Sequence, residues 1–204
     1  MESKSSEFKI KNMFATKDYE IDVDYNPTYK SGSADNSFKY DFEYLEDSGN
    51  RPTSIFGIKI LDNGKCIKSA IISSEGGETG IHNTALVLKD ERLVICCADK
   101  VFCLSIPDLT LLWKIKADDF TCFQIFAYQD SYIVHGEINI SRINHDGIIL
   151  WQYSGKDIFL NVENDAIECE LRENYILATD FNNEVYRIGY DGIDFSIKNI
   201  SFQV

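Results

Sequence analysis

One pattern occurs three times in the second half of this 204-residue sequence: a hairpin, a further strand, a tight turn and a last strand. The strand after each hairpin begins at Val101, Ile140 and Val185, so the copies are 39 and 45 residues apart. Self-similarity at a nearly fixed period indicates units that bury their apolar faces against one another. The sequence therefore predicts a series of similar β units rather than one continuous sheet.

Each copy contains four short antiparallel strands, which we name a to d in chain order. The a–b hairpins turn at residues 89–91, 129–131 and 172–174. Asp-Gly pairs at 146–147 and 191–192 suit c–d turns, because Gly accepts the positive φ that tight hairpins need. Four-stranded units with a period of about 40–45 residues are typical of propeller blades. We therefore expect an all-β fold, a small or partial β-propeller-like array of about four antiparallel four-stranded units.

The c and d strands of two copies read Val101-Phe-Cys-Leu-Ser-Ile-Pro-Asp-Leu-Thr-Leu-Leu-Trp113 and Ile140-Ser-Arg-Ile-Asn-His-Asp-Gly-Ile-Ile-Leu-Trp151. This string resembles the repeat of quinoprotein-like (PQQ-like) β-propellers over residues 84–198, with a looser copy at 54–72. The sequence departs from that repeat where Phe195 and Ile67 replace the Trp, and where Pro107-Asp108-Leu109 replaces the turn glycine. The resemblance implies blades and no cofactor, because the quinone-binding and calcium-binding residues of whole quinoproteins have no counterparts here.

Length and composition favour one domain over residues 1–204. We divide it into an irregular N-terminal part (1–53), a degenerate unit (54–83) and three regular units (84–203). About four units could close a small ring or remain an open arc, and an N-terminal strand could complete the last unit. The glycine-rich stretch 73–83 is expected to be a mobile loop.

Some further elements are predicted outside the regular units. Residues 19–24 and 37–45 alternate polar and apolar side chains, which favours half-buried strands, and residues 8–11 could form another short strand. The degenerate unit is expected to be a hairpin that turns at Asp62-Asn63-Gly64.

The net charge is −13 and the pI is about 4.6. Nucleic acids and anionic membranes attract Lys and Arg, so this balance argues against both as partners. It leaves two interpretations: an acidic surface that is merely solvated, or one that attracts a basic protein partner.

Six cysteines occur without a Cys-x-x-Cys pair, several of them inside apolar strand runs. The first residues lack the apolar stretch of a signal peptide, and no run of about 18 apolar residues suits a membrane span. We therefore expect free thiols and a cytoplasmic location.

No motif in the sequence indicates a reaction. His82, His135 and His145 lack the spacing of a zinc site, and His135 and His145 are expected to be structural or solvated. Asp22-Val-Asp24 begins like a calcium loop, but Pro27 and Ser33 occupy positions that need Gly and Glu. We predict no cofactor, no metal and no enzymatic activity.

One end of the array is expected to be acidic, because the b–c turns and d–a loops of antiparallel units meet there. The carboxylates predicted at this end are Asp99, Asp118, Asp119, Glu137, Asp157, Glu163, Asp165, Asp180 and Glu184. Three lysines oppose them, and in two d–a loops an Asp lies six residues after the Trp and is soon followed by Phe. Either this pattern only builds the corner of the blade, or the acidic end is a docking face.

These observations favour a cytosolic, non-enzymatic protein-binding module whose partner is basic. In its most specific form the prediction is an immunity protein that neutralises a basic toxin or nuclease through the acidic face. The alternatives are a small-molecule-binding or hydrolase-type propeller that uses the carboxylates of this face, and a structural scaffold.

Overall fold

The computed structural model describes residues 12–46, 49–160 and 168–196. Within these ranges the chain forms four sheets. The first sheet contains β1 (Asn12–Ala15), β2 (Glu20–Tyr25), β3 (Phe42–Tyr44), β4 (Ser54–Asp62) and β5 (Lys65–Ser74). The second contains β6 (Leu86–Lys89), β7 (Arg92–Cys97), β8 (Lys100–Ser105) and β9 (Leu111–Lys116). The third contains β10 (Cys122–Tyr128), β11 (Ser131–Gly136), β12 (Asn139–Asn144) and β13 (Ile149–Ser154). The fourth contains β14 (Cys169–Leu171), β15 (Tyr175–Thr179) and β16 (Val185–Gly189).

The predicted repeat is confirmed in the second and third sheets, whose four antiparallel strands follow each other in chain order. Gly147 and Gly192 have φ values of 81° and 86°, as the Asp-Gly turns require. In the fourth sheet, a bridge between Ile188 and Asp194 marks the place where strand d would begin. The predicted strand at 8–11 lies outside the described residues.

The four sheets pack face to face in sequence, and a separate apolar core fills each of the three contacts. Phe56 and Phe102 lie in the core between the first and second sheets, and Val101 and Tyr132 in the next. Ile140 and Ile176 lie between the third and fourth sheets. Each fully buried aliphatic side chain contributes about 1.5–3 kcal/mol. This succession of packed sheets makes the fold β-propeller-like.

A tryptophan in strand d joins each regular sheet to the sheet that follows. Nε1 of Trp113 donates to the carbonyl of His145, and Nε1 of Trp151 donates to the carbonyl of Tyr190, both at 3.0 Å. A Cβ on Gly147 would lie 2.7 Å from the Trp113 ring. The turn glycine therefore serves two purposes, because it accepts a positive φ and lets the indole of the preceding sheet lie against the turn.

The first sheet differs from the regular unit. β1, β2, β4 and β5 occupy positions a to d, so strands a and b come from the part of the sequence that we predicted to be irregular. Residues 26–53 replace the short b–c turn, and within them β3 runs parallel to β5 at the outer edge of the sheet. The predicted strand at 37–45 is reduced to these three residues.

The residues inserted before β4 cover the outward face of the first sheet. Tyr29 and Tyr40 pack on Ile55 and Ile71, and Gly57 leaves room for the Tyr40 ring. Terminal units of repeat arrays need such a cover, because one of their faces has no neighbouring unit. The expectation that an N-terminal strand completes the last unit was wrong for β1, β2 and β3, which all belong to the first sheet.

The glycine-rich stretch after β5 is packed into the structure, contrary to the expectation of a mobile loop. The hydroxyl of Thr79 donates to the carbonyl of Cys122 at 3.0 Å and accepts from the amide of Ala98 at 2.8 Å. A Cβ on Gly77 would lie 1.9 Å from the Thr121 hydroxyl. The glycines are needed because the backbone passes so close to the next sheet.

Candidate functional site

The b–c turns and d–a loops meet at one end of the stack, which we call the loop face. It comprises residues 75–80, 98–99, 117–121, 137–138, 155–158 and 180–184. One backbone hydrogen bond recurs here between neighbouring sheets: Glu137 N donates to Thr121 O at 2.7 Å, and Phe181 N donates to Ile158 O at 2.8 Å. Each b–c turn is thereby tied to the preceding d–a loop, which makes the loop face a connected surface.

Asp118 is a buried structural residue of this face. One carboxylate oxygen accepts from the backbone amides of Phe120 and Thr121 at 2.8 and 3.2 Å. The other accepts from the amides of Ile138 and Asn139 at 2.9 and 2.8 Å. The side chain therefore holds its own loop and the b–c turn of the next sheet together, and at 2% exposure it is not available to a partner.

Asp180 and Asp99 are also buried. Asp180 accepts from the amide of Glu184 at 2.9 Å and from the hydroxyl of Tyr186 at 2.7 Å, which shapes the last b–c turn. Asp99 accepts from the hydroxyl of Ser74 and forms an ion pair with Lys100 at 2.9 Å. For these three carboxylates, the structure agrees with the interpretation that the acidic pattern builds the corner of the blade.

Four of the predicted carboxylates reach the surface at least in part. Asp119 is exposed and lies 3.1 Å from Lys116, and Glu184 is exposed and lies 2.7 Å from Lys156. Glu137 is half-buried and accepts from the hydroxyl of Thr121, whereas Asp157 is half-buried and accepts from the side-chain amide of Asn182. Glu163 and Asp165 lie outside the described residues.

Two aromatic side chains of the loop face are exposed to solvent. Phe120 is 54% exposed and Phe181 is 48% exposed, next to Asp119 and Asp180 in the chain. Phe159, the counterpart of Phe120 in the sequence pattern, is instead fully buried in the core between the third and fourth sheets. Aromatic side chains are enriched at protein-binding surfaces relative to the rest of a protein surface.

A chain of hydrogen bonds runs from the exposed His82 to the buried His135, two residues whose spacing in the sequence gave no reason to join them. Nδ1 of His82 lies 2.9 Å from the Thr84 hydroxyl, which accepts from Gln124 Nε2 at 3.1 Å. Gln124 Oε1 lies 3.0 Å from Nδ1 of His135, and Nε2 of His135 lies 2.8 Å from the carbonyl of Phe159. These residues form a continuous chain of polar groups that leads from the surface into the apolar interior.

The surroundings of His135 act on its protonation in opposite directions. Both ring nitrogens face an oxygen acceptor, which favours the imidazolium, whereas full burial favours the neutral ring. Burial has the larger effect, and it lowers the pKa of His135 from 6.5 to about 4.

We expect the stability of the protein to fall by about 2 kcal/mol between pH 7 and pH 5 because of His135. Below pH 6.5 the unfolded chain binds a proton at this ring that the folded chain does not bind until about pH 4, so acid favours unfolding. The free energy of unfolding of the wild type and of His135→Gln should be measured across this range. The difference between them should shrink as the pH falls. A difference that stays constant across this range would contradict the assignment.

The remaining candidate chemical groups give no sign of a reaction centre. Within the described parts of the chain, no group of three or more His, Cys, Asp and Glu side chains is placed to hold a metal ion. Burial raises the pKa of Cys103 to about 11 and that of Cys169 to about 12, so these thiols are poor nucleophiles near neutral pH. A cleft of about 470 Å³ lies between Ala15–Tyr19 and Leu88–Arg92, away from the loop face.

Comparisons with known proteins support the fold and leave the family open. No family model and no curated protein matches the sequence. The designed protein Ika8 is similar in structure, with a TM-score of 0.51 and 10% identity over 90% of this chain and 59% of that one. BamB from Moraxella catarrhalis has a TM-score of 0.49 and 13% identity over 74% of this chain and 47% of its own. The WD40 beta propeller domain of Doa1 has a TM-score of 0.38 and 13% identity over 88% and 60%.

At 10% identity, the similarity to Ika8 concerns the fold alone. The chain spans about half the length of the BamB and Ika8 structures that it matches. The PQQ-like repeat therefore remains a resemblance in sequence. Among the described residues, no helix has the length and apolar character needed to cross a membrane.

Proposed function

We propose that the chain is a non-enzymatic module that binds a basic protein partner through the loop face. In its most specific form the proposal is a cytosolic immunity protein that neutralises a basic toxin such as a nuclease. A β-propeller-like fold suits an interaction module, because its loops are carried on a rigid stack of sheets.

The exposure of Phe120 and Phe181 on the loop face is the observation that carries this proposal. A solvent-exposed phenyl ring gains little for the folded monomer, but it becomes an anchor when a partner covers it. Phe120 follows Asp118, which fixes the loop, so the ring projects from an ordered backbone. Ordered anchors lose little conformational entropy on binding, which favours tight association.

The charge of the surface supports a basic partner. Asp119 and Glu184 flank the two rings in the sequence and stay exposed, and the whole chain carries −13. Electrostatic potentials of opposite sign on the two partners increase the rate of association and select against acidic competitors. Lys116 and Lys156 pair with these carboxylates at the surface, where solvent weakens an ion pair, so the lysines of a partner can replace them.

Two buried carboxylates of the loop face already hold the turns together through their hydrogen bonds. Both oxygens of Asp118 accept backbone amides, and Asp180 is fully buried with its oxygens hydrogen-bonded. A general acid or base must reach its substrate, and these side chains cannot do so without dismantling the turns that they hold. The exposed aromatic and acidic residues of the face therefore favour docking over catalysis.

Affinity capture from the native lysate tests the proposal. The tagged chain should be immobilised and the captured proteins identified by mass spectrometry at low and at high salt. We expect one basic protein, captured in nearly stoichiometric amount at low salt and released at high salt. The absence of a stoichiometric protein at both salt concentrations would contradict the proposed function.

A further inference from the structure

The outward face of the fourth sheet has no neighbouring sheet packed on it among the described residues. We call this surface the terminal sheet face and define it by Tyr175, Leu177, Thr179, Val185 and Arg187. These side chains alternate with Ile176, Ala178, Tyr186 and Ile188, which point into the core against the third sheet. Val185 is 45% exposed, and Tyr175 and Leu177 are half-buried.

The residues of the terminal sheet face occupy the strand positions whose side chains, in the second and third sheets, are buried between neighbouring sheets. The ladder registers place Val185 at the position of Val101 and Ile140, both of which are fully buried by the next sheet. Leu177 likewise occupies the position of Ile133, which is also buried. The terminal sheet face is therefore an interface of the same construction, and no part of the described chain packs on it as a neighbouring sheet.

The correspondence between the third and fourth sheets also includes a residue that makes a polar contact, Arg187. It occupies the position of Arg142, whose guanidinium donates to the carbonyl of Tyr190 in the next sheet at 2.7 Å. The guanidinium of Arg187 has no hydrogen-bond partner among the described residues, and the side chain is exposed. It can therefore donate to a group on whatever covers the face.

We propose that a second copy of this chain covers the terminal sheet face in a two-fold symmetric dimer. Glu170, Leu177 and Arg187 lie side by side on β14, β15 and β16, on the same face of the sheet. A two-fold axis along β15 places Leu177 against its own copy, and it brings Glu170 of each chain opposite Arg187 of the other. The row is thus complementary to itself in charge.

Two further features favour this occupant. Residues 26–46 cover the opposite end of the stack, where Tyr29 and Tyr40 pack on the first sheet, so head-to-tail assembly is blocked and a two-fold contact remains. The local charge of the terminal sheet face is not acidic. Arg187 contributes a positive charge, and the negative charge of Glu170 is balanced by Arg172 at 2.6 Å. In a chain of charge −13, two copies repel each other least where the local charge is not acidic.

Sedimentation velocity of the full chain over a range of concentrations tests the dimer. We expect the wild type to dimerise, and Leu177→Glu to weaken the dimer at least about tenfold. The matched control is Leu150→Glu, which places the same charge on an exposed strand d of the third sheet and should dimerise like the wild type. A monomeric wild type, or equal weakening by both substitutions, would overturn the proposal.

A charge exchange tests the symmetry itself. Glu170→Arg and Arg187→Glu should each weaken the dimer, because like charges then face each other across the two-fold axis. The double variant restores opposite charges and should recover dimerisation to within about threefold of the wild type. If the double variant dimerises no more tightly than the single variant with the lower affinity, this arrangement is excluded.

Discussion

Replacing Asp118 with Ala is expected to lower the free energy of unfolding by about 4 kcal/mol. The substitution leaves four backbone amides without their acceptor, those of Phe120, Thr121, Ile138 and Asn139. Two of these amides belong to the third sheet, so the loss also loosens the contact between sheets. Denaturant unfolding followed by the fluorescence of the two tryptophans measures the change.

Asp119 provides the matched control for this experiment. It is the neighbouring residue of the same type, but it is exposed and forms a surface ion pair with Lys116. Asp119→Ala should change the free energy of unfolding by no more than about 0.5 kcal/mol. Equal effects at the two positions would show that Asp118 does not organise the loop face.

Trp113→Ala is expected to cost about 3 kcal/mol of stability. The indole lies against Gly147, packs near Tyr132 and donates to the carbonyl of His145, so its removal opens a cavity between the second and third sheets. Because the substitution removes one of the two fluorophores, far-ultraviolet circular dichroism during denaturation is the suitable measurement.

Leu112→Ala serves as the comparison for this substitution. Leu112 precedes the tryptophan in β9 and points away from the core with 45% of its surface exposed, so its truncation should cost less than about 1 kcal/mol. If both substitutions have the same effect, the tryptophan does not join the sheets in the way that the structure indicates.

The regular part of the fold follows from local signals in the sequence. The a–b hairpins, the Asp-Gly turns and the recurring Trp each depend on residues within one unit, and the structure contains them where they were expected. The first sheet could not be anticipated in the same way. Its outermost strand, β3, runs parallel to β5 because residues 26–53 fold back over the sheet, and no local pattern specifies such a return.

At the candidate site, the sequence does not predict which side chains are buried and which are exposed. Asp118 and Asp119 are identical in type and adjacent, yet one is buried and the other exposed. The difference arises from the amides of Ile138 and Asn139, which another sheet brings to Asp118. Phe120 and Phe159 likewise share a sequence pattern and have opposite environments. Contacts between sheets decide such cases, and a repeat pattern within one unit does not contain that information.

The measurement that most directly tests whether the loop face binds a partner is the equilibrium affinity of the captured protein for two double variants. Phe120→Ser with Phe181→Ser removes both exposed rings of the loop face. Leu112→Ser with Leu150→Ser removes two equally exposed apolar side chains from strand d of the second and third sheets. We predict that the loop-face variant binds at least about 30-fold more weakly than the wild type, whereas the strand-d variant binds like the wild type. Unchanged affinity in the loop-face variant, with both variants folded, would contradict the account.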